Sequence, residues 1–194
     1  MKKITYLLIV ASFALTACQG DKSRNLKLEI AELEKQDTSP LELKGKYLAF
    51  YQSSPEDSAN SSYTLELARI YQSETPHTDS AALFAKVCFE EFPKGFSAPE
   101  AMLMFATLQK DIEERAHWYT QTHERYPNSR SGGNALIAMG VDYENEGRKD
   151  EALEAYQSYL ATYPNGALVK DAEMSIKNIN IPLEDLIKEF ERKN

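Results

Sequence analysis

Apolar residues recur along most of the chain at intervals of three and four, the spacing that places them on one face of an α-helix. Clear examples are Leu65, Ala68 and Tyr71 in one segment and Ala81, Phe84, Ala85 and Cys88 in the next. The intervening residues are rich in Ala, Leu, Glu, Lys and Gln, which favour helices. No run of β-branched residues alternates with polar ones. The pattern therefore predicts an all-α protein.

Two further apolar stretches extend the pattern toward the N-terminus. One resembles the end of another helical hairpin and contains Leu41, Tyr47, Phe50 and Tyr51. The first helix of that hairpin would contain Leu26, Leu28, Ile30 and Leu33. Residues 26–36 have two interpretations, because they could pack on the following helices or extend a mobile tether.

A last amphipathic helix is predicted at residues 181–194. Pro182 would lie in its first turn, where a missing N–H costs little. The predicted apolar face contains Leu183, Leu186, Ile187 and Phe190, and the polar face contains Glu184, Lys188 and Glu191. We expect this helix to cap the end of the preceding helices.

Three aromatic–proline pairs divide the helical segments at regular intervals. They are Phe92-Pro93, Tyr126-Pro127 and Tyr163-Pro164, so the prolines are 34 and 37 residues apart. Pro55 extends the series by 38 residues. Because proline cannot continue a helix, each pair is expected to end one. A period of this length is typical of stacked helical repeats.

The segment between Tyr126 and Pro164 contains the most specific motif. It reads Leu136-x2-Met139-Gly140-x2-Tyr143, then Ala152-x3-Tyr156, then Pro164. This order resembles the tetratricopeptide repeat in residue type and spacing, apart from Leu136 at the position of the leading Trp. Gly140 and Ala152 would be small because two helices approach closely there, with Tyr143 and Tyr156 around the contact.

The resemblance implies a tetratricopeptide-like right-handed superhelical solenoid of about three to four helical hairpins with a C-terminal capping helix. The repeats would occupy residues 41–180 and the cap residues 181–194. The hairpin before the motif departs from the pattern, because Arg115 occupies its small position with Ala116 beside it. Its first helix would pack through Ala101, Met102, Phe105 and Ala106.

The first eighteen residues have the features of a secretory signal. Lys2 and Lys3 precede an apolar run of about thirteen residues, too short for the roughly 20 that cross a bilayer as a helix. The following Leu15-Thr16-Ala17-Cys18 resembles the lipobox of bacterial lipoproteins, in which the cysteine is acylated after cleavage. An ordinary signal peptide that contains a cysteine is the alternative. Residues 19–40 would form a polar tether, up to Asn25, and an N-terminal helix.

The lipobox and the repeats together resemble the tetratricopeptide lipoproteins of two-membrane bacteria. Members of this family serve in β-barrel assembly and in cell division with the Tol-Pal system. The resemblance implies attachment to the membrane through acylated Cys18, and Gln19 after the cysteine favours the outer membrane. Either its periplasmic face or the cell surface is compatible with the sequence.

The charge and the cysteines limit the partners. The chain has 22 basic and 30 acidic residues; loss of Lys2 and Lys3 with the signal leaves 20 against 30, a net charge of −10. A surface of this sign repels phosphate, so we expect no nucleic-acid partner. With Cys18 acylated, Cys88 is the remaining thiol. Its apolar neighbours favour a buried core position over a reactive or intermolecular role.

Residues that could carry chemistry are few. Glu114-x-x-His117 has the spacing of two metal ligands on one helix face, but the motif occurs once and His123 lies off that face. We therefore favour a solvated face with a Glu113–His117 ion pair. No serine elbow or phosphate loop is present, and Ser131-Gly132-Gly133 is predicted to lie in a loop between hairpins. We expect no metal, cofactor, small-molecule substrate or enzymatic activity.

Two short motifs and one aromatic group remain. Asp57-Ser58-Ala59 and Asp79-Ser80-Ala81 resemble bacterial O-glycosylation acceptors, although Asp or Ser capping the next helix is favoured. Trp118, Tyr119 and Tyr126 could form a sugar platform, although repeat packing also needs aromatic residues at this spacing.

The expected function is a scaffold that holds other envelope proteins in a concave groove. The family resemblance carries groove-facing positions onto the first helix of each hairpin. In this chain they are Asn134, Ile137, Val141 and Glu144, and by a weaker alignment Leu103 and Thr107. The alternative is an envelope module that binds peptidoglycan or another glycan.

Overall fold

The computed structural model describes residues 22–36, 38–74 and 78–182, together with residues 184, 185, 188 and 192. All regular structure in these residues is helical, and they contain no strand. The all-α prediction is confirmed. Cys18 and the predicted apolar face of the C-terminal cap, at positions 183, 186, 187 and 190, lie outside the described residues.

Short turns connect the helices of the described part. Residues 22–35 form α1. The others are α2 (Pro40–Ser53), α3 (Asn60–Ser73), α4 (Thr78–Glu91), α5 (Ala98–Thr107), α6 (Ile112–Arg125), α7 (Arg130–Asn145), α8 (Lys149–Thr162) and α9 (Val169–Asn178). The chain divides into two compact units, Met1–Ala101 and Met102–Asn194, with the boundary inside α5.

The N-terminal unit packs consecutive helices against each other, α2 on α3 and α3 on α4. One cluster of buried side chains joins α1, α2 and α3 and consists of Ile30, Tyr47, Phe50, Tyr63, Leu67 and Ile70. The Tyr47 and Tyr63 rings stack with centroids 4.9 Å apart. Burying a large apolar side chain contributes about 1.5–3 kcal/mol, so this cluster is a main source of the unit's stability.

The N-terminal hairpin differs from its prediction at its start. Helix α1 already includes residues 22–25, which we assigned to the tether. Of the two interpretations of residues 26–36, packing on the following helices is present at Ile30, which is fully buried, whereas Leu28 is 64% and Leu41 67% exposed. Leu28 precedes Ile30 by two residues, about 200° around the helix, and therefore points away from the core. Leu41 lies in the first turn of α2, directly after Pro40.

Each proline of the repeat series lies in the same kind of turn. The residue before the proline donates its N–H to the carbonyl four residues earlier and ends the helix. Its own carbonyl then accepts the N–H of the residue three positions later, at 3.0, 2.8, 3.0 and 2.8 Å in the four turns. These turns occupy residues 54–57, 92–95, 126–129 and 163–166. The period in the sequence is therefore also a period in backbone geometry.

The C-terminal unit also packs consecutive helices, α6 on α7, α7 on α8 and α8 on α9. At the centre of the α7–α8 contact, a methyl group on Gly140 would lie 2.4 Å from Cε1 of Tyr156. Tyr156 and Ala152 are both buried. The predicted close approach at Gly140 is thus present, and the ring of Tyr156 fills the space that glycine leaves.

The Gly-rich segment Ser131-Gly132-Gly133 lies in the first turn of α7, which contradicts the predicted loop. Ser129 is the N-cap, and its hydroxyl accepts the N–H of Gly132 at 2.9 Å. A methyl group on Gly132 would lie 2.2 Å from the carbonyl oxygen of Tyr126. Gly132 is therefore required by the close approach of the preceding turn and not by loop flexibility.

Candidate protein-binding face

Equivalent positions on α5, α7 and α9 can be found by counting from the residue before the preceding proline. This origin is Phe92 for α5, Tyr126 for α7 and Tyr163 for α9. Nine residues after the origin, all three helices have alanine, at Ala101, Ala135 and Ala172. All three alanines are buried. Each of these helices therefore turns the same side toward its neighbours.

Two positions on the same helices lie on the opposite side. The position eleven residues after each origin contains Leu103, Ile137 and Met174. It is two residues, or about 200°, from the buried alanine. The position fifteen residues after the origin is one turn further and contains Thr107, Val141 and Asn178. We name these six residues of the C-terminal unit the first-helix face.

Helix α7 contributes side chains to two buried clusters of this unit. Ala135 shares a buried cluster with Ala106 of α5 and Tyr119 of α6. The next residue, Leu136, shares another buried cluster with Ala172 and Ile179 of the α9 region. The three helices that carry the first-helix face are therefore linked through their cores.

The predicted groove residues differ in accessibility. Val141 is 43% exposed, and Thr107 is also exposed. Asn134 is half-buried. Ile137 and Leu103 are partly buried against the two clusters, so each contributes both to the core and to the surface. The face thus combines exposed side chains with apolar side chains that are partly buried.

Glu144 is exposed at the C-terminal end of α7, but its carboxylate also has a structural partner. The hydroxyl of Tyr156 donates to Glu144 Oε2 at 2.9 Å. Burial, together with this hydrogen bond, raises the pKa of Tyr156 to about 12. The hydrogen bond therefore holds the Glu144 carboxylate in one position beside the first-helix face.

Sequence reasoning missed Met174, which is 61% exposed on α9. Helix α9 has Glu173 and Lys177 where α7 has Leu136 and Gly140, so the tetratricopeptide pattern does not reveal its register. Counting from Tyr163 would have found Met174. A second missed residue is Phe96, whose side chain is fully exposed in the turn before α5. Nothing in its local pattern distinguishes it from a buried aromatic residue.

An ion pair fixes α7 against α6 behind the first-helix face. Arg115 Nε donates to Asp142 Oδ2 at 2.6 Å, and the Tyr119 hydroxyl donates to the same oxygen at 3.1 Å. Burial and the neighbouring Asp142 carboxylate raise the pKa of Tyr119. Ala116, next to Arg115, is the buried small residue of α6. Arg115 is thus a link between helices and not a misplaced small position.

The residues weighed for metal binding do not converge. Glu113 pairs with Arg148 at the start of α8, so the predicted Glu113–His117 pair is wrong. Glu114 and His117 are exposed on α6. The His123 ring nitrogen lies 3.0 Å from the Tyr163 hydroxyl, which donates to the carbonyl of Pro127. Among the described residues, no three His, Cys, Asp or Glu side chains are close enough to hold an ion.

The aromatic residues considered as a sugar platform take part in packing. Trp118 meets Phe105 edge to face, with ring centroids 4.9 Å apart. Tyr119 is buried in the cluster that joins α5, α6 and α7. Tyr126 is half-buried and ends α6 as its C-cap. These positions are explained by the contacts between helices.

Comparison with protein-family models found no match to the chain, and comparison with curated proteins found none either. Within the part of the chain that the structure describes, no helix is both long enough and apolar enough to cross a bilayer.

The remaining sequence motifs lie in the N-terminal unit. Cys88 is buried, as predicted, and its thiol donates to the carbonyl of Ser61 at 3.1 Å. Burial raises the pKa of this thiol, which lowers its reactivity.

The two motifs that resemble O-glycosylation acceptors lie just before α3 and at the start of α4. Asp57 Oδ1 accepts the N–H of Ala59 at 2.8 Å, just before α3. Ser58 is exposed and Ser80 is half-buried.

Proposed function

We propose that this protein is a lipid-anchored scaffold of the cell envelope, without enzymatic activity, that holds other proteins on its first-helix face. The observation that carries the proposal is the repeated placement of apolar side chains that are exposed or only partly buried. Leu103, Ile137 and Met174 occupy one register position, and Val141 follows one turn later. Apolar side chains that share one exposed side of a protein mark an interaction site.

The four matching turns support a tetratricopeptide-like arrangement of the helical pairs. In such right-handed solenoids the first helices line a concave groove, and each pair depends on its neighbours to bury its apolar side. The buried alanines Ala135 on α7 and Ala172 on α9 fit that requirement, because small side chains permit close packing of helices. The accessible side of these helices is then the surface left for a partner.

The residues on and around the first-helix face indicate the chemistry of the partner. Exposed Asp171 and Glu144 contribute negative charge beside the apolar side chains, and Asn134 and Asn178 can donate or accept hydrogen bonds. We infer a helical or extended protein segment with apolar anchors and basic or amide groups beside them. A role in outer-membrane protein assembly or in envelope maintenance is compatible with such a segment.

The membrane attachment is the second part of the proposal. The lipobox at positions 15–18 would provide acylated Cys18, and two or more acyl chains give stable anchoring. Gln19 favours the outer membrane. The scaffold would then be held at that membrane, at its periplasmic face or at the cell surface.

Affinity capture from solubilised envelope tests the binding face. The variant carries Val141→Glu and Met174→Glu, two exposed positions whose charge should not disturb the core. Its matched control is Leu83→Glu on α4 of the N-terminal unit, an apolar side chain that is 56% exposed and is not part of the first-helix face. We expect the double variant to lose the protein that the natural chain and the control retain, with helical circular dichroism unchanged. Equal capture by all three proteins would contradict the proposal.

A further inference from the structure

The first described turns of α1 carry an unusual charge for this molecule. Residues 22–28 include Lys22, Arg24 and Lys27 and no acidic residue, in a chain with a net charge of −8. Lys27 pairs with Asp57 at 2.9 Å. Within the described residues, Lys22 and Arg24 take part in no ion pair. Two positive charges therefore remain available at this end of the helix.

An exposed leucine lies on the same side of α1 as Arg24, whereas Lys22, in the first described turn, is about 120° from that leucine around the helix. Leu28 is four residues after Arg24, so both side chains project from one helix face. Lys35 continues this face, and the exposed Glu32 on it lies 3.7 Å from the Lys35 ammonium. The opposite face contains Ile30, which packs in the core with Tyr47 and Phe50. The outer face of α1, defined by Arg24, Leu28, Glu32 and Lys35, is thus turned away from the unit.

Chain length restricts what can lie near this face. Cys18 precedes Lys22 by four residues, which span at most about 14 Å when fully extended. If the acyl chains of Cys18 are in a bilayer, as the proposed function requires, the start of α1 must lie close to the headgroups. Lys22 and Arg24 then meet a surface whose phosphate groups carry the complementary charge.

We propose that the outer face of α1 docks on the bilayer to which the protein is anchored. Leu28 inserts at the boundary between headgroups and acyl chains, and Lys22 and Arg24 bind the phosphate groups of anionic lipids. This inference rests on the lipid anchor of the proposed function and adds an orientation to it. The N-terminal unit would be held against the membrane by a helix face and not only by a flexible attachment.

Spin labelling of the acylated full-length chain tests the docking. In a Cys88→Ala background, one nitroxide replaces Leu28 and a second protein carries it at Leu83, the exposed control on α4. Both proteins are reconstituted in vesicles of phosphatidylethanolamine and phosphatidylglycerol. We expect a severalfold loss of collisions with a water-soluble nickel complex at position 28 and no loss at position 83. Lys22→Glu with Arg24→Glu should restore the collisions at position 28 without releasing the protein.

Failure of the docking and failure of the lipid anchor give different results. If the protein sediments with the vesicles and positions 28 and 83 are equally accessible to nickel, the docking is wrong and the anchor stands. If mass spectrometry finds an unmodified Cys18 and the protein stays in solution, both the anchor and the docking are wrong.

Discussion

Two glycines within helices show how local surroundings decide the effect of one methyl group. At Gly140 the added carbon would lie 2.4 Å from the Tyr156 ring, whereas at Gly45 nothing lies within 4 Å. We expect Gly140→Ala to destabilise the fold by about 1–3 kcal/mol through overpacking. Gly45→Ala should instead stabilise it by about 0.5–1 kcal/mol, because alanine favours the helix. Urea unfolding followed by circular dichroism measures both; destabilisation by Gly45→Ala would contradict the packing described here.

Tyr156 also predicts a pH dependence. Its pKa is raised to about 12 in the folded protein from an ordinary value of 10.0, so the folded state retains the phenol proton more strongly than the unfolded chain. The stabilisation is therefore complete below pH 10 and is lost as the pH rises toward 12. Tyr156→Phe should be less stable at neutral pH by about 0.5–1.5 kcal/mol, through loss of the hydrogen bond to Glu144. Its stability should also fall less steeply between pH 10 and 12, and an unchanged slope would oppose this interpretation.

Contacts between helices depend on a few polar links as well as on apolar packing. Arg115 is half-buried between α6 and α7, where it pairs with Asp142 and donates to the carbonyls of Gln109 and Lys110. Arg115→Ala should cost about 1–3 kcal/mol, because it leaves a partly buried carboxylate without its charged donor. The control is Lys86→Ala, which removes an exposed pair with Glu90 and should cost less than about 0.5 kcal/mol. Similar midpoints in thermal unfolding would rule out this role for Arg115.

The ends of the helices were easier to predict from the sequence than their packing. Helix ends were predictable because proline cannot continue a helix, and all four turns, including the one at Ser54-Pro55, have the same two hydrogen bonds. The loop at Gly132 was wrong, because glycine signals flexibility when it is read locally but here leaves room for the Tyr126 carbonyl. The exposure of Leu28 and Leu41 could not be predicted, because apolar spacing alone does not reveal which residues have a neighbour. Tertiary contacts supply that information.

The first-helix face was only partly predictable for a related reason. Val141 and Thr107 are accessible at positions that the repeat resemblance gave. Ile137 and Leu103 have a mixed role, since each packs partly against a buried cluster. Met174 could be assigned only by counting from a turn, because α9 lacks the small and aromatic residues of the repeat motif.

At the scale of the whole molecule, the attachment to the membrane is the simplest property to test. Cys18→Ala removes the acylated thiol, so the variant should shift from the membrane fraction to the soluble fraction or accumulate as an uncleaved precursor. Mass spectrometry of the natural protein should find acyl chains on an N-terminal Cys18. A natural protein cleaved at another residue, or lacking acyl chains, would contradict the anchor and leave the binding face unaffected.

Site-specific photo-crosslinking in intact cells is the most direct test of whether the first helices hold another protein. A photoreactive amino acid is placed in turn at Thr107, Val141 and Met174 on the first-helix face. The comparison positions are Glu154, Gln157 and Ser158, which are exposed on α8. We expect adducts with a distinct protein from the first three positions and few from α8. Adducts of equal yield from both helix faces, or from α8 alone, would contradict this role of the first helices.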